Sequence, residues 1–283
     1  MLRFSRNYTH SVNLARLPVD LVLVRNGICE GSVALRKAFG GNDPQFIEKL
    51  KQSHSSKWRL TDFGKLQAKS TGQWLRENFG TFNAFLTGEY IRSLETAACL
   101  GLPGAIWFPS LYLRPRDFGS FSVADANFDE KEYEEHYKNR ERDSFYWTPP
   151  NGESIAHVTM RAERVIHWIR RHVPSDGSCI IVTHKDVMEA MRIRLERISQ
   201  LDYTRKILNC PPKFALNYAS VLHFTRRNPK TQEVVPRYRW MRVVTPWMGK
   251  SYNSSDYSEI VINHYGNAEL LVEVSNSPKL FSK

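Results

Sequence analysis

Apolar positions along the chain fall into short continuous runs separated by longer amphipathic stretches. Residues 20–25, "DLVLVR", form a β-prone run that predicts a short buried strand. Residues 33–57 are mixed and polar and read as a loop or insertion. Thr61 then takes an N-cap position for a helix striped with Leu66, Ala68, Trp74 and Leu75 and closed by Gly80. "FNAFLTG" predicts a second strand, residues 90–100 a helix and "AIWF" a third strand. "DEKEYEEHYKNRERD" has the charge pattern of a solvated helix. Further on, Ile155, Val158, Ala162, Val165, Ile166 and Ile169 recur on one helical face, with Ser154 as the cap. "SCIIVTH" predicts a buried strand and "KDVMEAMRIRLERI" a helix. Two alternating segments, 218–225 and 235–244, flank "RRNPKTQ" and predict an antiparallel hairpin.

Strand and helix alternate over 20–198, which implies an α/β fold with a doubly wound, mostly parallel sheet and helices on both faces. The hairpin and a C-terminal tail complete it. Ligands of such sheets sit at the carboxyl ends of the strands. That singles out two tips, Arg25–Gly27 and Thr183–Lys185. The chain divides into a basic arm over 1–18, one α/β domain over 19–245 and an extension over 246–283. The extension is rich in Ser and Asn, and its apolar stretch "AELLVEV" reads as a partner-binding tail.

The 283 residues, 41% of them hydrophobic, suffice for one large core with appendages. An aromatic content of 12% excludes a disordered chain. No apolar run approaches the roughly 20 residues of a membrane span. The net charge of +11 favours nucleic acid, anionic surfaces or acidic ligands, and equally fits a basic protein without a specific contact. Cys29, Cys99, Cys179 and Cys210 form no C-x-x-C pair and read as buried free thiols of a reducing compartment. The first nineteen residues carry Arg3, Arg6 and Arg16, several hydroxyls and no acid, the composition of a mitochondrial presequence or of a simple basic arm. The expected location is the mitochondrial matrix.

Six stretches now fall into one frame: "LVLVRNGICEG", "RLTDFGKLQA", "YIRSLETAACLGL", "LRPRDFGSF", "PPNGESIAHV" and "CIIVTHKDVM". In this order they resemble the histidine phosphatase superfamily, closest to its phosphoglycerate mutase-like branch, over about residues 19–245. The resemblance implies the same α/β fold. It also implies that the first strand should end in Arg-His-Gly, with the histidine as the nucleophile that becomes phosphorylated. Asn26 stands in that place. An amide lone pair is delocalised, and nucleophilic catalysis needs a group that can be activated. The family's acid, in L-x-E-R-x-x-G, corresponds to Pro115, which has no side-chain proton to give. General acid catalysis is typically worth about 10²–10⁴-fold. Asp117 lies two residues on. Further departures are Lys185 in place of the glycine after the second histidine, Gly88 in place of a serine, and Ile28 in place of a polar residue. By the same resemblance, Arg25, Arg92 and His184 match phosphate-binding residues, and Gly27, Glu153 and Ser154 support them. Arginine binds phosphate bidentately, so this set fits an anion. It fits equally a set of buried groups that cannot lose their partners cheaply.

Three functions follow. The first is a pseudoenzyme acting as a structural subunit of a larger mitochondrial assembly, such as a ribosome or other ribonucleoprotein. RNA would be held by phosphate contacts from Arg192, Arg194, Arg197, Arg226, Arg227, Lys230, Arg237, Arg239 and Arg242. The second is an active phosphatase or phosphoglycerate mutase-like enzyme using His184 and Asp117. The third is a phosphometabolite sensor using Arg25, Arg92 and His184 without chemistry. No cofactor and no metal site is expected from the scattered histidines.

Overall fold

The computed structural model describes residues 16–39, 52–121, 130–254, 256–276, 279 and 281. Most of the expected presequence therefore lies outside the described residues. Seven strands form one sheet: β1 (Asp20–Arg25), β2 (Ala84–Gly88), β3 (Trp107–Ser110), β4 (Ser178–Thr183), β5 (Val221–Thr225), β6 (Trp240–Val244) and β7 (Ser258–Glu259). Their order is β3-β2-β4-β1-β5-β6-β7. The first four run parallel to one another, and β5, β6 and β7 join antiparallel.

Central strands covered on both faces need apolar side chains at every position. In β1, Leu21 and Leu23 pack on one face with Cys179, Ile181, Leu222 and Phe224. Helix α5 (Ile155–His172) and helix α6 (Lys185–Leu195) cover that face through Val158, Ala162, Val165, Ile166, Ile169, Val187, Met188 and Met191. Val22 and Val24 face the other way, toward Leu75 of α2 (Asp62–Asn78) and Ala97 and Leu100 of α3 (Ile91–Leu100). The caps read from the sequence are present. Thr61 accepts from Gly64 N at 3.0 Å, and Ser154 accepts from His157 N at 3.1 Å while the His157 ring takes the Ser154 N–H.

The differences are local. Residues 30–39, placed partly in a loop from sequence, form helix α1 (Glu30–Phe39), whose Ala34 packs against Trp58. Its single small buried anchor leaves almost no apolar stripe to detect. Strand β3 begins at Trp107, so Ala105 and Ile106 precede it. The charged stretch is helix α4 (Glu130–Arg142). The extension over 246–283 is partly built into the domain. Trp247 donates to Tyr218 O at 2.6 Å, β7 pairs with β6, and Ile260 is buried. A short helix, α7 (Gln200–Tyr203), follows α6, and α8 (Asn267–Ser275) ends the described chain.

Candidate functional site

The parallel register of β1 and β4 pairs Arg25 with Thr183, so the next residues, Asn26 and His184, lie side by side at the strand ends. The Asn26 N–H donates to Thr183 O at 2.8 Å and locks the two tips together. The loop beyond is tied to both helices behind it. Gly27 N donates to Thr96 Oγ1 at 3.1 Å and Ile28 N to Gln67 Oε1 at 3.0 Å. Glycine is required at 27, because a Cβ there would sit 2.5 Å from Gly64 O. Arg92 projects from the first turn of α3, and His184 is the N-cap residue of α6. Three parts of the chain far apart in sequence therefore meet at one carboxyl end of the sheet.

Asn26 is 5% exposed, Arg92 8% and His184 4%, so the cluster is nearly closed to solvent. The Asn26 side-chain amide donates to Gly27 O at 2.8 Å. Arg25 donates to Leu216 O at 2.5 Å and lies over the Tyr218 ring at 3.9 Å. Arg92 donates to Ser55 O at 2.7 Å and lies over the Tyr90 ring at 4.9 Å. Neither guanidinium has a carboxylate at ion-pair distance among the described residues. Burial pulls both of their pKa values below the ordinary arginine value, yet arginine stays charged at any physiological pH. The His184 ring nitrogen Nε2 lies 3.0 Å from Ser93 Oγ. Burial, then the charges of Arg92, Arg161 and Arg25, hold its pKa well below the usual imidazole value. The ring is therefore neutral and already engaged. A Cβ at Gly88 would come 3.3 Å from His184 Nε2 and 2.8 Å from Leu113 O, so glycine leaves the imidazole its room.

The residue in the acid's place has no titratable group, but its carbonyl is used: Arg161 donates to Pro115 O at 3.0 Å and to Tyr112 O at 2.7 Å. Asp117 is exposed, and its carboxylate accepts from Gly119 N at 2.8 Å. Glu153 is the hub of this wall. It pairs with Arg161 through both oxygens at 3.0 and 3.1 Å and with Arg114 at 2.7 Å. Its neighbour Ser154 caps α5. Glu153 and Ser154 thus hold the 113–119 segment against α5, a supporting position.

The sequence profile of the histidine phosphatase superfamily (branch 1) matches residues 44–232, about two thirds of the chain. The chain belongs to this superfamily. Solved structures agree on the fold. The α-ribazole phosphatase of Shigella flexneri is 20% identical, with a TM-score of 0.56 over 77% of this chain and 96% of that one. A mycobacterial glucosyl-3-phosphoglycerate phosphatase bound to inorganic phosphate is 17% identical, with a TM-score of 0.53 over 73% and 89%. A mutant phosphoserine phosphatase from Entamoeba histolytica, bound to phosphoserine, is 17% identical with a TM-score of 0.51 over 74% and 91%. No curated protein sequence matches. The profile match starts after β1, so this histidine phosphatase fold is recognised without the strand end that carries Asn26.

Sequence reasoning missed the groups that hold the cluster in place: Ser93 on His184, Tyr218 under Arg25, Tyr90 under Arg92, and Arg161 on the Pro115 carbonyl. It also missed Glu189. Burial pushes this carboxyl up to about 7, against the pull of Lys185 at 3.5 Å. Lys185 is thereby drawn to its own helix. Tertiary partners of this kind leave no periodic signal. The basic set expected to meet RNA is largely engaged within the fold. Arg192 is buried on Glu196 at 2.6 Å. Arg194 pairs with Glu163 and Arg239 with Glu259. Arg226 is buried on the Val235, Leu17 and Ser175 carbonyls. Arg242 lies between the Trp74 and Tyr257 rings. Only Arg197, Arg227, Lys230 and Arg237 of that set have no ion-pair, cation–π or buried-carbonyl role among the described residues. No group of His, Cys, Asp and Glu fit to hold a metal occurs among the described residues, and no described helix is long and apolar enough to cross a membrane.

Proposed function

We propose that this chain is a catalytically silent histidine phosphatase fold that serves as a structural subunit of a larger mitochondrial assembly, such as a ribonucleoprotein. One observation carries the loss of chemistry. The side chain at the tip of β1, beside His184, is the amide of Asn26, hydrogen-bonded to its own loop. The residues available to replace it argue the same way. His184 is buried, neutral and bonded to Ser93, and Asp117 caps a turn at the surface. The basic balance of the chain and the composition of its first residues support the mitochondrial setting. The test is turnover of a generic phosphomonoester and of phosphoglycerates by the purified protein. None is expected. Turnover that disappears in His184→Ala would overturn the reading. Purification of the tagged protein from mitochondria, with identification of the co-sedimenting protein and RNA, tests the assembly.

A second reading, a sensor for phosphate or a phosphorylated metabolite, is favoured by the two guanidiniums. Buried charges are normally paired, and Arg25 and Arg92 have only carbonyls and rings. A phosphate bound between them would raise the melting temperature by mass action. Arg92→Ala should abolish that shift. No shift in either protein would leave the arginines as remnants of the fold.

A further inference from the structure

Two exposed surfaces of this chain fit each other. The first is the crest of α5 beside the edge strand β3. Met160 is 71% exposed, Phe108 51% and Ile106 85%. Phe108 stacks on Trp168 at 5.4 Å and 11°, and Trp168 stacks on His172 at 4.5 Å, so the apolar ground is rigid. Arg164 and Arg171 rise from the same crest, exposed and without an ion pair among the described residues. The second surface is α8. Leu271 is 70% exposed and Val274 66%, and Leu270 and Val272 are exposed beside them. Between Glu259 and Asn276 there is no lysine or arginine. Glu269 and Glu273, one turn apart, line an open cleft of about 490 Å³ together with Ile262, Tyr265 and Val272.

Physical chemistry makes α8 an unfinished element. A helix of nine residues does not hold itself in water, and apolar patches rimmed by charge mark interaction sites. The signs are complementary, carboxylates on α8 and guanidiniums on α5. The lengths match as well. Nine helical residues span about 13 Å, and Met160 to Trp168 about 12 Å, at a rise of about 1.5 Å per residue. Within one chain the two surfaces are not mated. The tail is tied by Asn263 to Asp202 at 3.2 Å. Helix α6, joined to α5 through Arg194 and Glu163, lies along the flank of α5 away from Phe108.

We propose that α8 of one copy docks on the α5–β3 surface of a second copy. Leu271 and Val274 would cover Met160 and Trp168, and Arg164 and Arg171 would enter the cleft at Glu269 and Glu273. Reciprocal exchange makes two equal interfaces and closes a two-fold dimer.

Sedimentation velocity on the full chain across a concentration series tests this. The wild type should be a dimer. Leu271→Asp or Met160→Asp should weaken association by about tenfold or more, as loss of a central apolar contact does. The decisive arm uses two surface charge reversals. Glu269→Arg with Glu273→Arg, and separately Arg164→Glu with Arg171→Glu, should each give a monomer of unchanged circular dichroism. Mixed in equal amounts, they should form a dimer again, because both exchanged contacts regain opposite signs. A wild-type monomer overturns the proposal, including one that binds an oligoribonucleotide through Arg164 and Arg171. So does a dimer indifferent to both reversals, or a mixture that stays monomeric.

Discussion

At position 26 the chemistry turns on one atom type. An imidazole there would bring a lone pair to the tip of β1, beside His184. The amide brings none, and it is spent on Gly27 O. Two losses then act in series, because Pro115 supplies no proton. Asn26→His alone should therefore stay short of family rates by the missing acid's factor of about 10²–10⁴. Steady-state assay of Asn26→His beside Asn26→His with Pro115→Glu reads this directly. Equal, high rates in both would show that the acid lies elsewhere, with Glu189 the first residue to examine. Ser93 offers a second test at this scale. Ser93→Ala removes the partner of a buried imidazole, at a cost of about 1–3 kcal/mol for the group left unsatisfied. Chemical denaturation measures it. A loss near zero would mean that the ring finds another partner.

Helices and strands were legible where an apolar stripe or run was long. The runs at 20–25 and 178–183 and the stripe from Ile155 to Ile169 became β1, β4 and α5. Thr61 and Ser154 were legible as caps because their chemistry is local. Helix α1 was not, since Ala34 against Trp58 is a tertiary contact. The site was legible in part. Its residues at 25–27, 92 and 184 stand at ends of elements and carry chemistry, whereas Ser93, Tyr218 and Arg161 act through folding partners far away in sequence. The closest approach between elements also escaped the pattern. At Gly72 on α2, a Cβ would lie 1.9 Å from Leu100 O at the end of α3. Alanine improves a helix interior by about 1 kcal/mol over glycine. A clash with backbone at that distance costs more, about 1–3 kcal/mol or beyond. Gly72→Ala should thus lower the melting temperature, although it raises helix propensity. A higher melting temperature would show that α2 and α3 can part without cost.

Over the whole molecule, two buried histidines set the response to acid. His184 faces Ser93 and the charges of Arg92, Arg161 and Arg25. His223 lies on β5 between Asp20 at 2.8 Å and Tyr257 at 2.9 Å, with Arg242 nearby. Burial lowers both imidazole pKa values. For His223 it outweighs the hydrogen bond to Asp20, which pulls the other way. An unfolded histidine takes up its proton near pH 6.5. Below that pH the unfolded chain binds protons that the folded chain refuses, so stability falls as pH falls. The slope is at most about 1.4 kcal/mol per pH unit for each histidine. Asp20 acts in a different window. Burial alone would raise its pKa, but the hydrogen bond and charge of His223 prevail and lower it. Its contribution is present above the ordinary aspartate pKa and is lost only in stronger acid. Between neutrality and about pH 5 the histidines should therefore dominate. Urea unfolding along that range should show stability falling in the wild type. The fall should be shallower in His184→Gln, even though that variant is less stable at neutral pH for want of a good partner for Ser93. Carboxylates common to both proteins cancel in the difference. Parallel curves would mean that His184 is protonated in the fold, paired with an anion held by Arg25 and Arg92.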